Sequence, residues 1–220
     1  MTDAAPVTEG QLRTLFPGLP QSPLISRAFN HARERCPAFL FNHVARSWMF
    51  AVKLAALDSV AHDAEVLAVS TLLHDLGLTE HASGPNRFEV NGAEVARAFV
   101  REQGFDDRRA QLIWDSIALH GTPSIAAFKE PEVALCARGI GADFGTPDND
   151  LLGVSTMTLA IAAAPRLDMK RQFTACVCHM AQTKPETTYA NFIRDFGERL
   201  VPGYKAPSWV DVIANGPFAE

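Results

Sequence analysis

The decapeptide TLLHDLGLTE, Thr71 to Glu80, sets His74 beside Asp75 where an apolar helical run gives out at Gly77. An imidazole and a carboxylate are both good ligands for a divalent cation. Because they follow Leu72 and Leu73 in an amphipathic pattern, at least one must point inward, where an unpaired polar group costs free energy. The negative end of the helix dipole near Gly77 favours a cation at the same place. Taken alone, the dipeptide also fits an ordinary polar helix end.

Three further residues bear on the question. His43 lies thirty-one positions earlier in FNHVARSWMFA, among Phe39, Phe41, Val44, Trp48, Met49 and Phe50. On such a helix a lone histidine is either a hydrogen-bonded core residue or a ligand. Asp143, in ARGIGADFG, shares a face with Cys136, Gly139 and Ile140 and reads as a ligand or as a helix cap. Gly139 and Gly141 weaken a helix, so close packing against another element is the expected reason for them. Together, His43, His74, Asp75 and Asp143 would bring two imidazoles and two carboxylates to one divalent ion such as Zn²⁺, Fe²⁺ or Mn²⁺. His120 closes the helix of IALHGTP. Its imidazole can exchange protons near neutral pH, can stabilise a helix C-terminus, or can add a ligand.

The elements that must position these groups are helical almost throughout. PLISRAFNHARERC stops at Pro37, AFLFNHVARSWMFAVKLAAL follows, and HDAEVLAVSTLLHDLG carries its apolar residues at helical spacing with Gly77 as a C′ stop. The loop SGPNRFEVNG precedes AEVARAFVREQG and DDRRAQLIWDSIALHG, and PEVALCARGIGADFG opens with proline at N1. No succession of strand patterns occurs. The expected architecture is an all-α bundle of roughly six to nine helices in a single domain, residues 24–220, preceded by a proline-bearing extended arm, 1–23.

Composition narrows the function classes. With 220 residues, 47% hydrophobic and 20% charged, the chain is of ordinary globular type. A net charge of -5 without a basic block argues against nucleic acid as a partner. The apolar stretch Leu151 to Ala164 is too short to span a bilayer, and MTDAAPVTEGQLRTLFPGLPQSP does not read as a signal peptide, so a cytoplasmic protein without a membrane segment is expected. Cys36, Cys136, Cys176 and Cys178 are too scattered for a disulfide framework and are expected to be free thiols. In CVCH, Cys176 to His179, helical periodicity turns the two cysteines apart, against a zinc site. Ser70 and Ser155 lack a nucleophile elbow, and His31, His62, His81 and His179 read as structural or surface groups. Trp209 and Phe218 are candidates for a subunit contact in a homo-oligomer.

The ordered set His43, His74 with Asp75, and Asp143 resembles the H…HD…D pattern of the HD-domain superfamily, over roughly residues 24 to 200. Within it, FNHVARSWMFA, HDLGLT and FEVNG are similar to the cyanamide hydratase branch, in which an asparagine precedes the first metal histidine and an arginine follows it by three positions, here Asn42 and Arg46. The resemblance implies a helical fold, one divalent metal with zinc foremost, and chemistry by a metal-activated water. On this reading Asp75 and His120 are the catalytic residues, and a small cyano compound is the substrate, with cyanamide becoming urea. Asn42, Arg87 and Phe88 line the substrate, and Arg46 supports a ligand carboxylate. The commoner phosphohydrolase activity of such proteins needs cations for the phosphate, for which Lys53, Arg87 and Arg138 are the candidates. A non-catalytic binding module clamped by the metal is the third expectation.

Overall fold

In the computed structural model, which describes residues 7–218, twelve α-helices and three short 3-10 turns account for the regular structure, and no strand occurs among the described residues. The helices are α1 (Glu9–Leu15), α2 (Pro23–Arg35), α3 (Ala38–Leu57), α4 (Ala64–Leu73), α5 (Phe88–Glu102), α6 (Asp107–Leu119), α7 (Pro123–Ala126), α8 (Pro131–Asp143), α9 (Asp148–Ala163), α10 (Met169–Thr183), α11 (Ile193–Leu200) and α12 (Trp209–Ala214). None is long and apolar enough to cross a membrane. All four cysteines are free.

The residues fall into two compact units, one ending at Met169 and one starting at Lys170. The boundary lies inside α10, which is why no linker composition marks it in the sequence. In the second unit, Thr188 Oγ1 and Tyr204 Oη lie 2.7 Å apart, and Phe173 stacks on Phe192. Trp209 and Phe218 are exposed.

The first unit is built around α3 and α4. Every residue of α3 from Phe39 to Ala51 is buried, as is every residue of α4 from Val66 to Leu73. Helices buried on every side over such stretches are interior, and α2, α6 and α8 supply the walls. Their ends are set locally. Ser22 caps α2 ahead of Pro23, and Asp63 accepts from the backbone N–H groups of Glu65 and Val66 at the start of α4. The same Asp63 carboxylate receives Arg109 of α6 at 2.8 and 3.0 Å, tying two helices whose far ends meet at the site.

Two glycines set distances. A Cβ on Gly139 of α8 would lie 2.6 Å from both the Ser47 carbonyl oxygen and the Ala51 Cβ of α3, so glycine there lets the two backbones close together, as its position in a helix leads one to expect. Gly77 departs from expectation. It is absent from the residues with positive φ, and α4 ends at Leu73 with a 3-10 turn, Leu76–Leu78, following. A Cβ on Gly77 would lie 1.8 Å from the Phe88 carbonyl oxygen, so close approach to the start of α5 is what requires glycine. The segment expected to be an extended arm also contains a helix. Thr8 and Gln11 form a capping box on α1, and Leu12 is fully buried.

Candidate metal centre

His74 is the C-cap of α4, and Asp75 follows it into the 3-10 turn. His43 reaches them from the middle of α3. All three are buried, and their ligand atoms lie within 4.8 Å of one another, the one such group among the described residues. His43 Nε2 is 3.3 Å from His74 Nε2 and 3.7 Å from Asp75 Oδ2, and His74 Nε2 is 3.2 Å from that same oxygen. Two ligands on a tetrahedral ion with bonds of about 2.1 Å stand roughly 3.4 Å apart, so these separations suit a single cation.

The partners of the other ring nitrogens decide what faces the centre. His43 Nδ1 lies 2.7 Å from Asp143 Oδ2, and His74 Nδ1 lies 2.9 Å from the Thr71 carbonyl oxygen. Both partners are acceptors, so both Nδ1 atoms carry a proton, and in the neutral rings both Nε2 atoms present lone pairs. Two lone pairs 3.3 Å apart cannot hydrogen-bond to each other, and Asp75 Oδ2 is buried without a hydrogen-bond partner. A buried cluster of acceptors without donors is disfavoured unless a positive charge sits among them. A metal ion can therefore bind at His43, His74 and Asp75.

Asp143 is close by but addresses the opposite nitrogen of His43. Its carboxylate also receives Arg46 in a two-pronged contact, Nε to Oδ1 at 2.8 Å and Nη2 to Oδ2 at 2.7 Å, and Arg166 Nη2 lies 3.0 Å from Oδ1. Four donors around one ion were expected from the sequence. Three of them converge, while Asp143 orients the ring of the first, an arrangement that fixes tautomer and direction in metal-binding histidines. Arg46 is fully buried behind this carboxylate and donates its remaining Nη1 to the Ala164 carbonyl oxygen.

His120 joins the cluster as the C-cap of α6. It is buried, its Nε2 is 3.9 Å from Asp75 Oδ1, and its ring meets His74 edge-on at 4.9 Å. Phe88, also buried, meets the His120 ring edge-on with centroids 5.5 Å apart. Arg87 pairs with Glu89 at 2.7 Å. Asn42 donates Nδ2 to the Pro165 carbonyl oxygen at 2.7 Å, leaving its Oδ1 buried without a partner. Glu89 was not singled out from the sequence. An acidic residue in the first turn of a helix reads as a dipole partner, yet this one is fully buried and its charge acts on His120.

Burial holds the His43 ring below its usual pKa despite the Asp143 hydrogen bond, and brings His120 down to about 4, with His74 adding to the effect. For Asp75, burial works upward, but His74 above all, with His43 and His120, outweighs it where these rings carry the extra proton, and the carboxyl falls to about 2. For Asp143 burial is likewise outweighed, here by His43 and Arg46, and the group lies far below the usual range. Near neutral pH the site is thus two carboxylates among imidazoles, of which His43 and His120 are neutral. Burial pushes the Cys36 thiol up to about 12, so it presents no thiolate.

No protein-family model matches the chain, and no curated protein matches it.

Proposed function

We propose that the chain is an HD-domain metalloenzyme of the cyanamide hydratase kind, adding water to a small, neutral cyano compound. The observation that carries the metal part is the trio of acceptor atoms 3.2 to 3.7 Å apart with no donor among them. Zinc is the metal this reading favours, since two imidazoles and a carboxylate with short separations suit its tetrahedral preference; iron or manganese are the alternatives.

The choice of a neutral substrate rests on the cations nearby. A phosphate ester needs side chains that can hold its charge. Arg46 and Arg166 are committed to Asp143, Arg87 to Glu89, and Arg138 to Asp58 and Asp148, while Lys53 is exposed on α3. Each cation named for phosphate is thus paired with a carboxylate or turned to solvent. A cyano group needs none of them.

When bound, a divalent cation supplies a water of lowered pKa and polarises the substrate. The chain's own residues do the rest. Asp143 and Arg46 hold the His43 ring so that Nε2 faces inward, and the Thr71 carbonyl does the same for His74. Asp75, ionised and buried, offers Oδ1 to the attacking water. The water O–H bond breaks as the C–O bond forms, and the proton passes through the carboxylate to the substrate nitrogen, where one C–N π bond becomes N–H. His120, with its pKa at about 4, is neutral near pH 7 and keeps its one ring proton on Nδ1 against the Ile117 carbonyl oxygen, so it is not the donor in this scheme. Phe88 lies against this centre as an apolar surface suited to a small uncharged molecule.

The test is a panel assay of zinc-loaded protein. Cyanamide, small nitriles and isonitriles are run beside nucleoside monophosphates and cyclic nucleotides, with amide, ammonia and phosphate all measured. Turnover of a cyano compound that disappears in Asp75→Asn is expected. Phosphate release alone ends the hydratase reading.

A further inference from the structure

His74 and His120 occupy the same local position on two different helices. Each is a C-cap, at φ -60° and ψ -33° for His74 and φ -59° and ψ -33° for His120. Each places Nδ1 against the carbonyl oxygen three residues back, Thr71 at 2.9 Å and Ile117 at 2.6 Å. That carbonyl fixes the tautomer in both, so both present a bare Nε2. The rings lie 4.9 Å apart, and the two Nε2 atoms flank the Asp75 carboxylate, 3.2 Å from Oδ2 and 3.9 Å from Oδ1. The C-terminal ends of α4 and α6 therefore meet at one carboxylate, and a helix C-terminus carries partial negative charge. His120 Nε2 and Asp75 Oδ1 are both acceptors, so only a cation or a hydrogen-bond donor between them makes their approach favourable.

We infer that His120 becomes a direct ligand of the cation by a shift of its ring toward the three residues already within 4.8 Å of one another, giving a donor set of His43, His74, His120 and Asp75 with Asp143 outside it. This rests on the metal reading above and departs from it in one residue. A three-imidazole set carries one carboxylate fewer than the sequence pattern implies, which leaves a bound divalent ion with more net positive charge and a stronger pull on water. Asp143, held by two arginines and His43, keeps its place as the acceptor that aims the His43 ring.

The experiment uses the full chain loaded with cobalt(II), whose visible spectrum reports its ligands, together with zinc affinity by chelator competition. The variants are His120→Ala, His120→Cys and Asp143→Asn, each checked for helicity by circular dichroism. His120→Ala is expected to lose more zinc affinity than the roughly 10- to 100-fold that removing an outer hydrogen-bond partner costs, with Asp143→Asn inside that range. His120→Cys is expected to bind cobalt with a new sulfur-to-cobalt charge-transfer band, which only direct coordination produces. A folded His120→Cys that binds cobalt with the wild-type spectrum overturns the inference while leaving the three-residue site intact. Wild-type protein that binds no cobalt overturns both.

Discussion

His43 and Asp143 meet across 100 residues of sequence at 2.7 Å, through the ring nitrogen that faces away from His74 and Asp75. That one contact divides the cluster into atoms that can hold an ion and atoms that hold the holders.

Removing a holder of the ion is expected to empty the site without unfolding the unit. The helices around it are buried through aliphatic and aromatic side chains that do not depend on the metal. His43→Ala and His74→Ala should purify folded by circular dichroism and contain far less than one equivalent of metal by elemental analysis. Chelation of the wild type should abolish turnover and leave most of the helical signal. Full occupancy in both variants would show that other residues bind the ion.

Asp143→Ala acts on stability first, because Arg46 is then a buried charge without its carboxylate. Breaking one side of such a pair costs about 3–5 kcal/mol. In urea titrations of metal-free protein, Asp143→Ala should be strongly destabilised, and adding Arg46→Met should recover part of the loss. Additive losses in the double variant would mean that the pair is not coupled.

Gly77→Ala should be severe for its size. The added methyl would meet a backbone oxygen rather than a side chain that can rotate away, at 1.8 Å. The turn carrying Asp75 or the start of α5 has to move, at a cost of at least about 1–3 kcal/mol. A midpoint within experimental error of the wild type, with metal affinity unchanged, would contradict the packing described for this turn.

The metal-free protein should weaken as pH falls from about 6.5 toward 4. In that window an unfolded chain protonates His120, while the folded chain, with its pKa at about 4, does not. The unfolded state then binds more protons, so stability falls with pH until the folded-state pKa is reached. At 1.36 kcal/mol per pH unit, His120 contributes at most about 3 kcal/mol to this loss. His31, lowered to about 4 by burial and by Arg35 and His81 beside it, adds in the same direction. Unfolding free energies of wild type and His120→Gln at pH 7 and pH 4.5 test this, and a pH dependence that does not flatten in the variant would remove His120 from the account.

The helical class and the trio His43, His74 and Asp75 were legible because each depends on local pattern, namely apolar periodicity and ligand types set along it. What Asp143 does was not legible. Spacing puts it on an inward face, but which nitrogen of His43 it meets depends on how two helices lie against each other. Gly77 misled for a similar reason, since a glycine after a helix reads as a left-handed stop whether or not a neighbouring backbone is the true cause. Glu89 was hidden by a common local role, and α1 by prolines that flank a helix as readily as they prevent one. The kink of α9 at Gly153, φ 73°, likewise has only a glycine within an apolar run to announce it.

Gly139 has no side chain to offer an ion, yet it helps set the dimensions of the candidate metal centre. It touches α3 at Ser47, and one helical turn further along each partner stand Asp143 and His43. The backbone gap is in effect a ruler for the contact between them. A bulkier residue at 139 would widen the groove and swing the imidazole off its aim, so the tolerance of this centre is written partly at a position that never touches it.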